Sequence, residues 1–164
     1  MAIIVNPISP VAFSVFGVDI RWYALAYIAG FIAGYYLFRY LMRRPDSQIS
    51  LNKKQLDDLL TAVIFGVILG GRIGYVLFYN LPFFLANPLE ILMVWHGGMS
   101  FHGGLIGVIV ATFFYAHKLH CTPSSGITGG TANIALRILD LLAVVTPIGF
   151  FFGRIANFIN MEVM

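Results

Sequence analysis

The sequence predicts an all-α membrane protein, a polytopic helical bundle with an N-terminal arm and a short interfacial helix. Of its 164 residues, 59% are hydrophobic and 10% are charged, and the mean hydropathy is +0.86. Soluble domains carry roughly 25% charged residues, so this composition excludes an ordinary soluble fold. Because a span needs about 20 residues, the chain has room for about four. No linker-like composition shift divides it, and residues 1–164 are expected to form a single membrane domain.

Charge and cysteine content exclude several functional classes. The net charge of +3 comes from a few loop residues, which orient a membrane protein and give no reason to expect a nucleic-acid partner. Cys121 is the only cysteine, so the chain forms no disulfide within itself. His117 and His120 have a spacing compatible with metal binding on a helix, but no carboxylate or cysteine pair completes a ligand set. We expect neither a metal ion nor a cofactor.

The N-terminal part predicts an arm followed by the first span. Residues 1–20 are apolar but contain Pro7 and Pro10 and lack a basic start, so they predict an extended or interfacial arm rather than a signal peptide. The first span is predicted at residues 22–42, with Trp22 and Arg39 near its boundaries. The basic loop at residues 43–58 is then cytoplasmic by the positive-inside rule, which places the N-terminus in the periplasm.

The second predicted span, residues 59–79, combines a small-residue stripe with a charge. Gly66, Gly70 and Gly74 recur every four residues, which lets another helix approach closely. Arg72 lies among them, and a cation at a helix centre costs about 2.5–3.5 kcal/mol on insertion scales, so it needs a polar cavity or a partner. Two interpretations remain open: Arg72 belongs to a polar site, or it snorkels or pairs with helix-end carbonyls.

The remaining spans are predicted from hydropathy and turn residues. Residues 80–100 contain no Lys or Arg, which favours the outer side of the membrane, and residues 88–95 predict a short surface helix. The third span begins near residue 100 and reaches about residue 117, with Gly103 and Gly107 as packing positions. A polar loop follows at residues 118–137. The fourth span is predicted from about residue 139 to 152, extending at most to 159, with Asp140 in its first turn.

Two His-Gly-Gly triplets at residues 96–98 and 102–104 form the most distinctive local pattern. Glycine allows positive φ and close backbone approach, and histidine exchanges a proton near neutral pH. His102 is therefore a candidate catalytic base, with a purely structural role as the alternative. Near the C-terminus, a helix end followed by a turn would gather several polar residues, namely Arg154, Asn157, Asn160 and Glu162.

Three motifs resemble those of the prolipoprotein diacylglyceryl transferases of bacterial inner membranes. They are GGRIGYVLFYN at residues 70–80, GGMSFHGG at 97–104 and GRIANFINME at 153–162, and RWYAL at 21–25 is similar to the family's first-helix signature. The similarity covers most of residues 15–164. The resemblance implies transfer of the diacylglyceryl group of phosphatidylglycerol to the lipobox cysteine thiol of a prolipoprotein signal peptide, within membrane lipid. It also implies that His102 is catalytic or organises the site, that Arg154 binds the head group, and that the same polar cavity is lined by Tyr23, Arg72, Asn157, Asn160 and Glu162.

The chain departs from the family pattern in places. The family has glycine where this chain has Ala156 and Met161, and a small, glycine-rich run at residues 150–152, which are phenylalanines here. Family members also continue with a periplasmic region and further spans, so we expect a truncated or split member. Two alternatives to a transferase follow: a transporter or channel-like subunit whose Arg72 and Arg154 form an anion path, or an inactive remnant.

Overall fold

The computed structural model describes residues 11–15, 18–45, 47, 49–122 and 126–159. Its elements are, in order, strands β1 (Val11–Val15) and β2 (Val18–Arg21), helices α1 (Trp22–Met42), α2 (Lys53–Phe78) and α3 (Leu81–Ala86), 3₁₀ helices at Pro88–Ile91 and Val94–His96, and helices α4 (Phe101–Cys121) and α5 (Thr131–Ile159). Within these residues, four helices, α1, α2, α4 and α5, are long and apolar enough to cross a membrane. The predicted helical membrane fold with four spans is confirmed.

The described backbone forms two compact units, and α5 contributes to both. The first unit combines residues up to 47 with those from 140 onward, and the second comprises residues 48–139. In the first unit, β1 and β2 pair antiparallel, so the predicted extended arm includes a hairpin, and α1 has the predicted bounds. Gly34 is buried against α5, where an added Cβ would lie 3.1 Å from Cγ1 of Val145.

In the second unit, α2 and α4 pack antiparallel, and the backbone atoms of their glycines are in direct contact. A Cβ added at Gly66 would lie 2.6 Å from the carbonyl oxygen of Gly107, and one added at Gly74 would lie 2.7 Å from Cα of Gly103. The hydroxyl of Tyr115 near the end of α4 donates to the carbonyl of Gln55 near the start of α2, at 2.6 Å. The predicted glycine stripes are therefore the contact surface between the two helices.

This contact predicts opposite effects for two glycine substitutions. Gly70→Ala would place a methyl group 2.7 Å from Cα of Gly107, and because backbone cannot move aside, we expect a loss of about 1–3 kcal/mol of stability. Gly104→Ala is the matched control, since its Cβ meets its nearest atom, the carbonyl oxygen of Val67, at 3.7 Å. Alanine also favours helix by about 0.8–1.0 kcal/mol over glycine, so Gly104→Ala should keep or raise stability. Thermal denaturation in detergent measures both, and equal shifts would contradict the backbone contact.

The start of α2 is fixed by a capping box formed by Asn52 and Gln55. The Asn52 side chain accepts from the Gln55 backbone N–H at 2.9 Å, and the Gln55 side chain accepts from the Asn52 N–H at 2.8 Å. The helix consequently begins at Lys53, six residues before the predicted span, because capping and helix propensity extend it beyond the apolar stretch.

Removing the cap should have a small and specific effect. We expect Asn52→Ala to lower stability by about 1 kcal/mol, because the N–H of Gln55 loses its acceptor. Ser50→Ala, which alters an exposed residue outside the capping pair, should leave stability unchanged. Chemical denaturation in detergent distinguishes them, and an effect of Ser50→Ala as large as that of Asn52→Ala would refute the assignment.

Two predictions about the connecting segments were wrong. Residues 88–95 form two short 3₁₀ helices rather than one helix, and α3 precedes them. The helix α5 begins at Thr131, so the loop before it is shorter than predicted and Asp140 lies inside the helix, not in its first turn. The reason is packing: Ile134, Ala135 and Ile138 are fully buried at helical spacing, which stabilises helix well before the apolar stretch begins.

Candidate functional site

Arg72 lies near the C-terminal end of α2, at the centre of a cluster of polar contacts. Its side chain is buried, with 4% exposed, and its guanidinium donates only to backbone carbonyls. Nε donates to Ile91 at 3.0 Å, and the terminal nitrogens donate to Gly98 and Met93 at 3.1 Å each and to Glu90 and Gly97 more closely. Arginine has five N–H groups, and five carbonyls receive them. We call these carbonyls, of residues 90, 91, 93, 97 and 98, the carbonyl cradle.

The local backbone shows how these carbonyls can accept from Arg72. The carbonyls of Glu90 and Met93 also accept from backbone N–H groups, at 3.2 Å each, and a carbonyl oxygen has a second lone pair for the guanidinium. Gly97 and Gly98 have φ of 83° and 81°, which side-chain-bearing residues rarely adopt. A Cβ at Gly98 would also lie 2.7 Å from Cδ1 of Tyr75. The first His-Gly-Gly triplet therefore serves to turn two carbonyls toward Arg72.

Aromatic side chains complete the surroundings of the guanidinium. Its central carbon lies 5.1 Å from the ring centroid of Phe84, a cation–π distance, and Phe84 is buried. The ring of Tyr75 packs edge-on against Phe84, with centroids 6.2 Å apart, and stacks on Tyr79 at 5.4 Å. The charge is thus held by carbonyl dipoles and an aromatic face. This geometry matches the predicted alternative of carbonyl pairing, and a substrate-binding role for Arg72 stays a prediction.

Ser100 connects the cradle to His102, and the sequence interpretation missed it. Its backbone N–H donates to the carbonyl of Gly71 at 2.9 Å, and its side chain caps α4 by accepting from the N–H of Gly103 at 3.2 Å. The signal was available, since a serine directly before a helix is a preferred N-cap. His102 is consequently fixed in the first turn of α4, where it is exposed and its ring meets that of Phe101 edge-on at 5.7 Å.

His96 belongs to the segment between α3 and α4 rather than to the region of His102. Its Nδ1 lies 2.8 Å from a carboxylate oxygen of Glu90, and both side chains are partly exposed. The carbonyl of the same Glu90 accepts from Arg72. The pair therefore links the two short 3₁₀ turns across the cradle.

The other predicted site residues lie in the first unit or outside the residues that the structure describes. Arg154 and Asn157 stand three residues apart near the end of α5, with Arg154 exposed and Asn157 half-buried. Tyr23 is the second residue of α1, but its side chain lies outside what the structure describes. Asn160 and Glu162 lie outside the described residues, so the predicted turn that gathers them stays a prediction.

The histidines at the opposite end of α4 have local partners. Nδ1 of His120 lies 3.0 Å from the carbonyl of Gly129, and Nε2 of His117 lies 3.7 Å from Sγ of Cys121. Among the described residues, no group of three or more His, Cys, Asp or Glu side chains could hold a metal ion. This end of the helix contributes loop contacts.

An apolar groove of about 510 Å³ runs along the seam between α2 and α4. Its floor contains the packed glycines, and its walls include Phe65, Phe78 and Phe114. None of the predicted site residues that the structure describes lines it, so the polar chemistry of the second unit lies outside the groove.

Comparison with known proteins identifies the family. The sequence model of the family described as prolipoprotein diacylglyceryl transferase matches residues 10–164. Proteins named phosphatidylglycerol–prolipoprotein diacylglyceryl transferase are 53% identical over 99% of the chain in Azospirillum brasilense, 49% over 94% in Rhodospirillum rubrum and 43% over 94% in Rickettsia bellii. The chain covers 55%, 52% and 54% of these relatives, so it spans about half their length. The resemblance of the three motifs is confirmed, and the chain belongs to the prolipoprotein diacylglyceryl transferase family.

Proposed function

We propose that this chain takes part in transferring the diacylglyceryl group of phosphatidylglycerol to the lipobox cysteine thiol of a prolipoprotein. The observation that carries the proposal is identity of 43–53% to transferases of that name over nearly the whole chain. The four apolar helices support it, because both substrates would be held in the membrane. No observation favours a transporter or channel subunit.

In the proposed reaction, the cysteine sulfur attacks the glyceryl carbon that carries the phosphate. A C–S bond forms, the C–O bond to phosphate breaks, and glycerol phosphate leaves with the bonding electrons. A free thiol has a pKa of about 8.5, so a base or a positive field is needed to supply thiolate at neutral pH. His102 is the proposed base that takes the thiol proton, which its exposed position in the first turn of α4 supports.

Arg154 is the proposed ligand of the phosphate. A guanidinium can bind two phosphate oxygens and stabilise the charge that develops as the leaving group departs. Arg154 is exposed, and it is followed at one helical turn by Asn157, whose amide offers both donors and an acceptor. Tyr23, Asn157, Asn160 and Glu162 are proposed to line the same cavity.

Arg72 has a different proposed contribution to this site. Its five N–H groups are bonded to the carbonyl cradle, so it acts by holding the segment that leads to Ser100 and His102. We accordingly propose it as a lining and positioning residue, with direct phosphate binding assigned to Arg154.

The proposed location is the bacterial inner membrane, with the N-terminus and residues 79–100 on the periplasmic side. Support comes from charge: the loop between α1 and α2 contains Arg43 and Arg44, and Lys53 and Lys54 begin α2, whereas residues 80–100 contain no Lys or Arg. Prolipoprotein cysteines would be modified at this outer face.

Complementation tests the proposal. The chain is produced in a bacterium depleted of its own transferase, alone and together with the remaining C-terminal half of the Azospirillum brasilense relative as a separate polypeptide. We expect growth and diacylglyceryl-modified prolipoprotein, detected by mass spectrometry, in at least the second case.

Variants of the chain provide the controls. His102→Gln should abolish complementation, whereas His120→Gln, at the opposite end of α4, should preserve it. Lack of modification in both arrangements, with membrane insertion of the chain verified by protease protection, would refute the proposal. Complementation by His102→Gln would show that His102 is not the base that takes the thiol proton.

A further inference from the structure

We infer that the segment between α2 and α4, residues 81–96, lies in the lipid–water boundary of the membrane, and that Arg72 enables this by binding its backbone carbonyls. We call this segment the shelf. The inferred partner is the phospholipid leaflet itself, contacted by four side chains: Leu85, Leu89, Leu92 and Trp95. The inference does not depend on the proposed reaction.

The first observation is the exposure of large apolar side chains. Leu85 exposes 74% of its surface, and Leu89, Leu92 and Trp95 expose 73% each. They recur at spacings of three or four residues along the shelf. Exposure of several large apolar side chains within one short segment indicates an interaction surface rather than a surface in contact with water.

The second observation identifies the partner as lipid. The shelf begins three residues after the end of α2 and ends five residues before α4, and both helices are candidate membrane spans. The shelf is therefore tethered at both ends to the same boundary of the membrane. Tryptophan is enriched at that depth, where its ring contacts acyl chains and its N–H reaches polar groups.

The third observation is the near absence of free charge in the shelf. It contains no Lys or Arg, and its acidic residue, Glu90, is paired with His96 at 2.8 Å. Pairing lowers the penalty of bringing the two groups toward the apolar region.

The fourth observation is the way in which the irregular backbone is satisfied. Non-helical backbone at membrane depth is tolerated only where its polar groups find partners within the protein. The amides of Asn87, Glu90 and Met93 bond to carbonyls three or four residues earlier in the shelf. Arg72 bonds the carbonyls of Glu90, Ile91 and Met93, together with the two glycines that follow. The buried cation thus occupies acceptor positions that the backbone N–H groups of the shelf leave open.

Fluorescence quenching tests the inference directly. The chain has two tryptophans, so Trp22→Phe leaves Trp95 as the only one. The variant is reconstituted into phosphatidylcholine vesicles whose acyl chains carry bromine either near the head group or near the chain end. We expect loss of most Trp95 fluorescence with the shallow bromine, a smaller loss with the deep bromine, and little quenching by aqueous iodide.

Arg72 variants in the same background test the second half of the inference. Arg72→Gln should reverse the pattern: iodide should quench Trp95 strongly, and shallow bromine should quench it less than in the variant that retains Arg72. Arg72→Lys, which keeps the charge but has three donors, should give an intermediate result. Arg43→Gln, at an exposed loop arginine, is the matched control and should not change quenching.

Each remaining outcome overturns part of the inference. Quenching of Trp95 by iodide in the Trp22→Phe variant would place the shelf in water, and protection from both quenchers would show that protein covers it. An unchanged pattern in Arg72→Gln would separate lipid contact from the carbonyl cradle. Should Arg72→Gln fail to fold, Leu89→Asp keeps Arg72 intact and should by itself reduce quenching by shallow bromine; no reduction would refute lipid contact at the shelf.

Discussion

Replacement of Arg72 by methionine is expected to cost about 3–5 kcal/mol of stability, because it removes all five side-chain donors from the carbonyl cradle at once. Methionine retains an unbranched apolar side chain, so the loss reports the guanidinium with its hydrogen bonds and its contact with the Phe84 ring. The carbonyls of Ile91, Gly97 and Gly98 lose their bonds to Arg72, and those of Glu90 and Met93 keep only their bonds from backbone N–H groups. Thermal denaturation in detergent and protease cleavage within residues 79–100 measure the effect.

Two further variants make the Arg72 result interpretable. Arg72→Lys restores the charge with fewer donors and should recover part of the stability. Arg43→Met removes an exposed arginine and should be close to neutral. If Arg72→Met were no more destabilised than Arg43→Met, the cradle would contribute nothing measurable to the fold.

Replacement of Arg154 by glutamine is expected to lower transfer activity by about 10²–10³-fold, because the leaving phosphate loses its charged donor. Arg154→Lys keeps the charge without the paired N–H geometry and should fall between wild type and Arg154→Gln. Because Arg154 is exposed, neither change should disturb stability by more than about 0.5 kcal/mol. The two-polypeptide arrangement described above, assayed with a lipobox peptide and phosphatidylglycerol in detergent, measures the activity.

The Arg154 prediction has a matched control and a clear contrary result. Arg44→Gln removes an exposed arginine two residues after the end of α1 and should leave transfer unchanged. Equal activity of Arg154→Gln and Arg44→Gln would show that another residue binds the phosphate. A loss that is reversed by raising the phosphatidylglycerol concentration would assign Arg154 to binding of the substrate rather than to the departing group.

The parts of the fold that hydropathy determines were predictable from sequence. The first helix has the predicted bounds, and Gly66, Gly70 and Gly74 pack as their spacing indicated. The start of α5 was not predictable in this way, because buried contacts of Ile134 and Ile138 stabilise helix outside the apolar stretch. A local signal for α3 was present in Pro82, since proline at the first helical positions starts a helix as readily as it ends one.

The candidate site, like the fold, could be predicted from the sequence only in part. The sequence showed that Arg72 needs a partner, because an unpaired cation in a span is costly. It could not show which partner, because main-chain carbonyls carry no residue-specific signal and these acceptors lie in a loop shaped by Gly97 and Gly98. The role of Ser100 depends likewise on a bond to the carbonyl of Gly71, which only the folded backbone reveals.

The position of the cradle along the chain has a consequence for biosynthesis. Its acceptors lie 18 to 26 residues after Arg72, so the ribosome delivers the guanidinium before any of them exists. At a synthesis rate of roughly 5–20 residues per second, the delay is about 1–5 s. During that interval the nascent helix α2 carries an unneutralised charge, and its stable entry into the bilayer has to wait for the downstream segment. Stable insertion of α2 is therefore expected to depend on the synthesis of the segment that follows it, residues 79–98.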